Sequence, residues 1–459
     1  RPQENPMTHP AQPRQPTRSP LQDAIDGTTA GHAAFVRLLP LFHRVRAQTL
    51  ALIDGLSDED CALQSMPDAS PAKWHLAHVT WFFEVFVLER FEPGFRPFHP
   101  AFRMLFNSYY NGVGDRHLRA ERGLVSRPGL STVRAYRADV EARIDALLRS
   151  PGLGGPDAAA LSQVIELGIN HEQQHQELLL TDIKHLFSRN PLQPAWREGW
   201  PLLPVAAAAP GWLHCEGGLV ETGTGDTGFA FDNERPAHRS YLHPFELSMR
   251  PVSCGDVIAF IADGGYRRPD LWLSAGWDLV QSRGWKAPAY WQADDGGDIR
   301  SSRWHTFTLR GRAEVSPDAP AVHLSHYEAD AVARWMGARL PTEFEWEHVA
   351  RRVAVEGNLL ETGLFHPAEP LAAPRSGQPG QMFGDVWEWT QSAYLPYPGY
   401  QSAPGAIGEY NGKFMSQQMV LRGGSCATPR SHLRAGYRNF FPPDARWQFS
   451  GARLARDAA

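Results

Sequence analysis

Two histidines four residues apart, His171 and His175, lie in the run His171-Glu172-Gln173-Gln174-His175-Gln176-Glu177, within a stretch of helical apolar periodicity. On a helix, side chains at i and i+4 share one face about 6 Å apart, close enough to grip one metal ion. The bland alternative is an exposed polar helix face. A stable site needs a third donor, and the tract Trp74-His75-Leu76-Ala77-His78 offers His75 and His78. These lie three apart and fit one helix face, so spacing leaves both open. Glu177 falls on another side of the helix and suits a hydrogen-bonding partner of a ligand better than a ligand. Three neutral imidazoles leave up to three positions free on a six-coordinate iron(II), enough for a substrate and dioxygen side by side. Imidazole suits zinc equally, and zinc has no redox step to offer. The run also satisfies His-Glu-x-x-His, a zinc-protease pattern with Glu172 as general base. Position 181 is Thr181, so the usual downstream histidine is missing and the upstream tract is the better-placed donor.

Holding those imidazoles together requires facing helices. Helical spacing predicts helices over Phe35–Leu56, Trp74–Phe91, Thr132–Leu148 and Ala158–Phe187. Four such helices make a bundle, whose interior commonly holds metals between facing side chains. Residues 1–25 read as a disordered tail, rich in Pro, Gln and Thr without an apolar signal-peptide core, with Met7 a candidate start. The bundle is then 26–195, ending near Pro191 and Pro194, and 196–211 is a linker containing Pro201 to Pro210. From 212 to 459, Gly-rich turns separate short segments, with short helices expected only over Tyr327–Trp335 and Glu343–Val349. This half reads as a mixed α+β domain with little regular structure, whose loops can build a polar pocket.

A chain of 459 residues exceeds one ordinary core, which fits two domains. A formal charge of -5 and no Lys-rich patch argue against a nucleic-acid partner. No segment has the run of apolar residues a membrane span needs. Cys61, Cys215, Cys254 and Cys426 lack CxxC spacing and are too sparse for a disulfide-built secreted chain, which points to the cytoplasm.

From about residue 30 to Arg456 the chain resembles the sulfoxide synthases of ergothioneine biosynthesis. Those proteins join a DinB-like four-helix bundle to a mixed domain like the formylglycine-generating enzyme, a C-type-lectin-like fold. The two histidine tracts carry the resemblance, with Gly384-Asp385-Val386-Trp387-Glu388-Trp389, Leu421-Arg422-Gly423-Gly424-Ser425-Cys426 and Tyr437-Arg438-Asn439-Phe440-Phe441. All five occur in order, and together they demote the protease reading. The resemblance implies iron(II) held by His78, His171 and His175, and dioxygen used to couple a thiol to C2 of the imidazole of hercynine, the trimethylated betaine of histidine. It further implies that Gln174 bonds the hercynine ring, while Asn439, Phe440 and Phe441 hold its carboxylate and trimethylammonium end. A quaternary ammonium beside aromatic faces is physically sensible. Tyr109 and Tyr110 are similar to a paired tyrosine of the cysteine-using branch; Tyr110 is the first choice to deliver a proton that steers oxidation toward C–S coupling.

Arg103, Arg116 and Arg119, with Arg122 nearby, could meet a donor carboxylate in bidentate fashion, and a solvated face is the alternative for each. The chain is also similar to the selenoneine synthases, a sister branch that couples hercynine to a selenosugar and needs no arginine clamp. The formylglycine-generating chemistry needs a close cysteine pair, which the lone Cys426 in the last two hundred residues does not supply. That domain then serves as a substrate-binding wall, with Glu343 a structural helix start and Asp330 and Arg334 in a local ion pair. The partners expected are small molecules, with the chain a monomer or small homo-oligomer. Other classes are a zinc-dependent DinB-like thiol transferase and a binding module with a dead metal site.

Overall fold

A computed structural model describes residues 20–150, 155–206, 208, 210–294 and 303–458. The N-terminal part is a helical bundle of α1 (Pro20–Ala51), α2 (Ala72–Phe83), α3 (Leu130–Arg149) and α4 (Gly155–Ser188). The part of the expected tail at 1–19 lies outside the described residues. Residues 20–25, expected in that tail, are instead the first turns of α1. Pro20 suits that position, because its fixed φ fits a first helical turn and its missing N–H has no partner there. The second expected helix continues beyond α2, but as a wide π turn over Glu84–Leu88 before Glu89–Phe91. Gly168 of α4 permits a close helix approach: a Cβ there would lie 2.6 Å from the Phe83 ring of α2.

A buried carboxylate sets the rotation of α4. Glu172 is fully buried and accepts from Arg137 Nη2 at 2.5 Å, Arg46 Nη1 at 3.1 Å and Thr49 Oγ1 at 2.6 Å. Burial alone would raise its pKa, but the guanidinium groups of Arg137 and Arg46 overcome this and hold it at about 2. With Glu172 aimed at α1 and α3, His171 and His175 face α2.

The C-terminal part is built on a six-stranded sheet of β1 (Trp212–Cys215), β2 (Phe245–Pro251), β3 (Trp387–Ala393), β4 (Met419–Arg422), β5 (Asn439–Phe441) and β6 (Ser450–Asp457). Its order is β1-β2-β6-β3-β4-β5, antiparallel except for the β6–β3 pair. Two short helices, α5 (His326–Trp335) and α6 (Glu343–Ala350), fall where expected, each opened by a capping box on Ser325 or Thr342; two more, over Cys254–Ala262 and Ser274–Arg283, were not expected. Asp330 and Arg334 form the local pair at 2.8 Å. Glu343 does more than start a helix. It accepts from Arg438 Nε at 2.8 Å and Arg422 Nη2 at 2.7 Å, so it holds the residue that precedes β5. The described residues of the segment expected as a linker have no regular structure, yet they are pinned to both parts. Trp196 donates from its backbone N–H to Leu309 O and from Nε1 to Asp54 O, and Ala206 donates to Pro370 O.

The two parts meet along α4. Glu177, expected near a ligand, faces the second domain and accepts from Trp387 Nε1 at 2.7 Å, Thr428 Oγ1 at 2.9 Å and Ser425 Oγ. Its even spacing from His175 was read correctly as pointing elsewhere, but its partners are across the domain boundary. Two turns further from this anchor, Lys184 is buried between the rings of Tyr290 and Phe449, with Nζ 2.7 Å from His323 Nε2. Burial drives the Lys184 pKa down to about 7, and burial together with Lys184 keeps His323 and His366 neutral. The unfolded chain holds the lysine proton to a pH of about 10, so between these limits the unfolded state binds more protons and stability rises with pH. Urea unfolding from roughly pH 7 to 9 should show that rise, approaching about 1.4 kcal/mol per pH unit, and Lys184→Met should flatten it. A slope unchanged in the variant would assign the effect to other groups.

Candidate metal centre

The three histidines arrive from two helices. His78 comes from α2, and His171 and His175 come from one face of α4, with ligand-capable nitrogens all within 4.8 Å of one another. Each is buried. His78 Nδ1 donates to Phe106 O at 2.7 Å, which leaves Nε2 as a bare acceptor with no partner. Both ring nitrogens of His171 are likewise buried without a partner. Such orphaned acceptors are costly unless something fills the space between them. A cation does so, and the donor set fits one: burial keeps all three rings neutral, holding His171 near 3 and His78 and His175 well below the usual histidine range.

His75, left open by spacing, stands outside this group and acts on it. Its Nδ1 is 2.9 Å from His175 Nδ1, and its Nε2 is 2.9 Å from Asp182 Oδ2. The Asp182 carboxylate also accepts the Ser70 N–H at 2.8 Å. The carboxylate fixes the proton on His75 Nε2, so His75 Nδ1 accepts from His175 Nδ1–H and the Nε2 lone pair of His175 is free for a metal. A stacked layer sits behind His78: Trp74 lies 4.6 Å from it and Trp81 5.4 Å away. Glu172, aimed at α1 and α3, is out of reach as a general base for this centre, which removes the protease reading.

A cavity of 420 Å³ opens beside the imidazoles and is roofed by the second domain. His171, Gln174 and His175 line one side, and Asn439, Phe440 and Phe441 of β5 line the other. Phe440 is braced by a stacked Tyr394 at 4.0 Å. Tyr109 is on the wall, whereas Tyr110 is fully buried behind it, stacked at 4.7 Å, with its hydroxyl unpartnered. Burial raises both phenols, so both are protonated near neutral pH. Arg116, Arg119 and Arg122 line the cavity, but Arg103 does not. Arg103 pairs with Glu89 on the exposed surface instead, because α2 and its π turn carry Glu89 outward beside it. Of the arginines, Arg122 is buried, lies over Trp74 at 3.4 Å and donates to Ser70 Oγ at 2.8 Å. Arg116 donates to Ser108 O at 3.1 Å, and Arg119 to Asp68 O.

Sequence reasoning missed Tyr410, Asn411 and Phe414, which close the cavity from an irregular segment. The segment docks on the bundle through Glu409, which accepts from the backbone N–H groups of Asn111 and Gly112, and through Lys413 to Tyr109 O. Tyr410 donates to Gln174 Oε1, and its ring is 5.6 Å from that of His171. Nothing periodic marks this stretch; the only available signal was an aromatic and acidic cluster, Glu409-Tyr410-Asn411, in a Gly-rich loop.

Residues 41–179 match the DinB superfamily, and residues 203–369 and 376–458 match the sulfatase-modifying factor enzyme 1-like domain. The hercynine oxygenase of Mycobacterium tuberculosis is 34% identical over 449 residues, covering 90% of this chain and 97% of that one. The hercynine oxygenase of Mycolicibacterium thermoresistibile is also 34% identical, covering 90% and 93%. The formylglycine-generating enzyme of Streptomyces coelicolor is 29% identical over 56% of this chain and 95% of its own length. A DinB-type bundle with convergent imidazoles, closed by a domain of this second type, defines a class of two-domain non-haem iron oxidoreductases. The chain belongs to the sulfoxide synthase family of ergothioneine biosynthesis, and its cofactor is iron(II). All four cysteines are buried free thiols.

His75→Leu should leave the fold intact while removing the acceptor for His175 Nδ1–H. Iron(II) affinity measured by anaerobic chelator competition should fall about 10- to 100-fold. Unchanged affinity would dismiss the relay behind His175.

Proposed function

We propose that the protein couples a sulfur or selenium donor to C2 of the hercynine imidazole in a dioxygen-dependent reaction. The observation that carries this reading is one cavity that His171 and His175 of the three-imidazole cluster line on one side and the aromatic strand β5 lines on the other. Its ligands are His78, His171 and His175, from a bundle that begins with α1 at Pro20 and runs to about residue 195. A second domain spanning 212–459 supplies the substrate wall, and 196–211 joins them. Iron(II), when bound, supplies the electrons that activate dioxygen.

The chain's own groups do the rest. Gln174 bonds the azole ring and sets which carbon faces the metal side. Phe440 and Phe441 face the trimethylammonium group, which has no hydrogen-bond donor but is drawn to ring faces. The Asn439 amide offers a donor to the carboxylate. Tyr109 on the cavity wall and Tyr110 stacked behind it, both protonated near neutral pH, would hold the proton that steers oxidation toward C–S coupling, with Tyr110 the first choice. Arg116 and Arg119 at the rim meet the carboxylate of a donor such as cysteine or γ-glutamylcysteine. A selenosugar, with a neutral hydroxyl face, would use the same cavity without them. Small molecules are the partners in either case. Among the described residues no helix is long and apolar enough to cross a membrane. Four free thiols favour the reducing cytoplasm, for a monomer or small homo-oligomer.

Protein loaded with iron(II) and hercynine under nitrogen, then exposed to oxygen with cysteine, γ-glutamylcysteine and a 1-selenosugar in competition, should give a C2-coupled product by mass. Product formed equally without oxygen would overturn the reading. His171→Ala and His175→Ala should each abolish tightly bound iron, read by metal analysis. Tyr110→Phe should keep iron and hercynine bound while slowing coupling by about 10²-fold or diverting it to thiol oxidation; an unaltered rate and product ratio would remove its role.

A further inference from the structure

Gln174 is the middle of a hydrogen-bond chain that crosses the domain boundary and runs in one direction only. Asn170, one turn before it on α4, donates through Nδ2 to Glu166 O at 2.9 Å, so its Oδ1 is the atom facing His432. His432 Nδ1, 3.0 Å from that oxygen, must carry the proton. Its Nε2 is then bare and accepts from Tyr437 Oη at 3.0 Å. With its proton given to His432, Tyr437 accepts from Gln174 Nε2 at 2.8 Å. Gln174 Oε1, at the other end of the amide, accepts from Tyr410. Reversing any link would set two acceptors against each other at Asn170 and His432. Phe231 packs against three members of the chain, with ring centroids 5.5 Å from Tyr410, 5.6 Å from Tyr437 and 5.9 Å from His432. His432 is buried and held well below the usual histidine range by that burial, so it stays neutral and keeps one tautomer.

The direction matters because the two ends of the amide face different neighbours. The Nε2 end turns to Tyr437, whose ring packs on Phe231, Trp387 and His432. The Oε1 end turns to Tyr410, whose ring adjoins His171. A carbonyl oxygen has a second lone pair, so Gln174 offers an acceptor on the metal side. We propose that His432 is a positioning residue that, locked as the Nδ1–H tautomer by Asn170, fixes the Gln174 carbonyl toward the metal side and so selects an azole substrate presenting a ring N–H there. This rests on the function proposed above and assigns the tautomer of the ring that function would bind.

The test uses the full chain, iron-loaded under nitrogen, titrated with hercynine and with the thiazole betaines in which sulfur replaces a ring nitrogen. Wild-type protein should bind hercynine about tenfold more tightly than the analogue lacking the recognised N–H, the worth of one such bond. His432→Phe removes the acceptor for Tyr437 and should bring that ratio close to one, with iron content unchanged. Tyr437→Phe cuts the same link with a smaller change and should lower the ratio as far. His432→Gln keeps an acceptor at the Nε2 position and should restore most of the discrimination. A merely structural role would weaken both ligands equally and leave the ratio alone, and a wild-type ratio in both Phe variants overturns the proposal. If wild-type protein fails to bind hercynine at all, the function proposed above falls instead.

Discussion

A single buried carboxylate governs the geometry of this molecule. Glu172 sits between Arg46 of α1 and Arg137 of α3, fully buried from solvent, so the helix that bears it has one favourable rotation. Breaking such a pair from one side leaves an uncompensated charge, at a cost of about 3–5 kcal/mol. Its sequence neighbours, His171 and Gln173, and His175 one turn on, inherit their directions from that rotation. One face of α4 meets arginines, the next meets α2, and the third meets the second domain through Gln173, Gln174 and Glu177. Anchor, metal donors and substrate contact are thus three faces of one helix.

Hydrogen-bond polarity then does for the small scale what Glu172 does for the large. Asp182 orients His75, which orients His175; Phe106 orients His78. His78 and His175 are thereby each left with a lone pair on the side they share with His171, and burial keeps these three rings uncharged. The tyrosines beside them are raised by the same loss of water, so the cavity pairs bare acceptors with protonated donors. Desolvation produces both states.

Much of this was legible in the residues. Helical periodicity located the bundle helices, and i,i+4 spacing identified His171 and His175 as a pair. The choice between His75 and His78 was not legible, because residues three apart share a helix face and only the partner helix decides which one points inward. The place of Glu177 was half visible: its angular offset from His175 was plain, but Trp387, Ser425 and Thr428 lie more than two hundred residues away. Arg103 looked equivalent to Arg116 and Arg119 because proximity in sequence says nothing of the turn that sends it to Glu89. The segment with Tyr410 carries no periodic signal, since its conformation is set by docking onto backbone N–H groups of another domain. In the mixed domain three helices carry a capping-box signature, and the one over Cys254–Ala262, announced by Ser253 and Asp256, went unread; the strands are short, and Glu343 revealed its arginine partners only when β4 and β5 were brought beside it.

The boundary between the domains has an evolutionary consequence. Separated, the bundle would expose Glu177 and Gln173 stripped of their partners, and the other half would expose Trp387, Ser425 and Thr428 in the same condition. Neither half can therefore be exchanged for a distant homologue without recreating several matched polar contacts at once. Recombination between lineages would be tolerated outside this seam far more readily than within it, so the two modules are expected to descend together as one heritable unit.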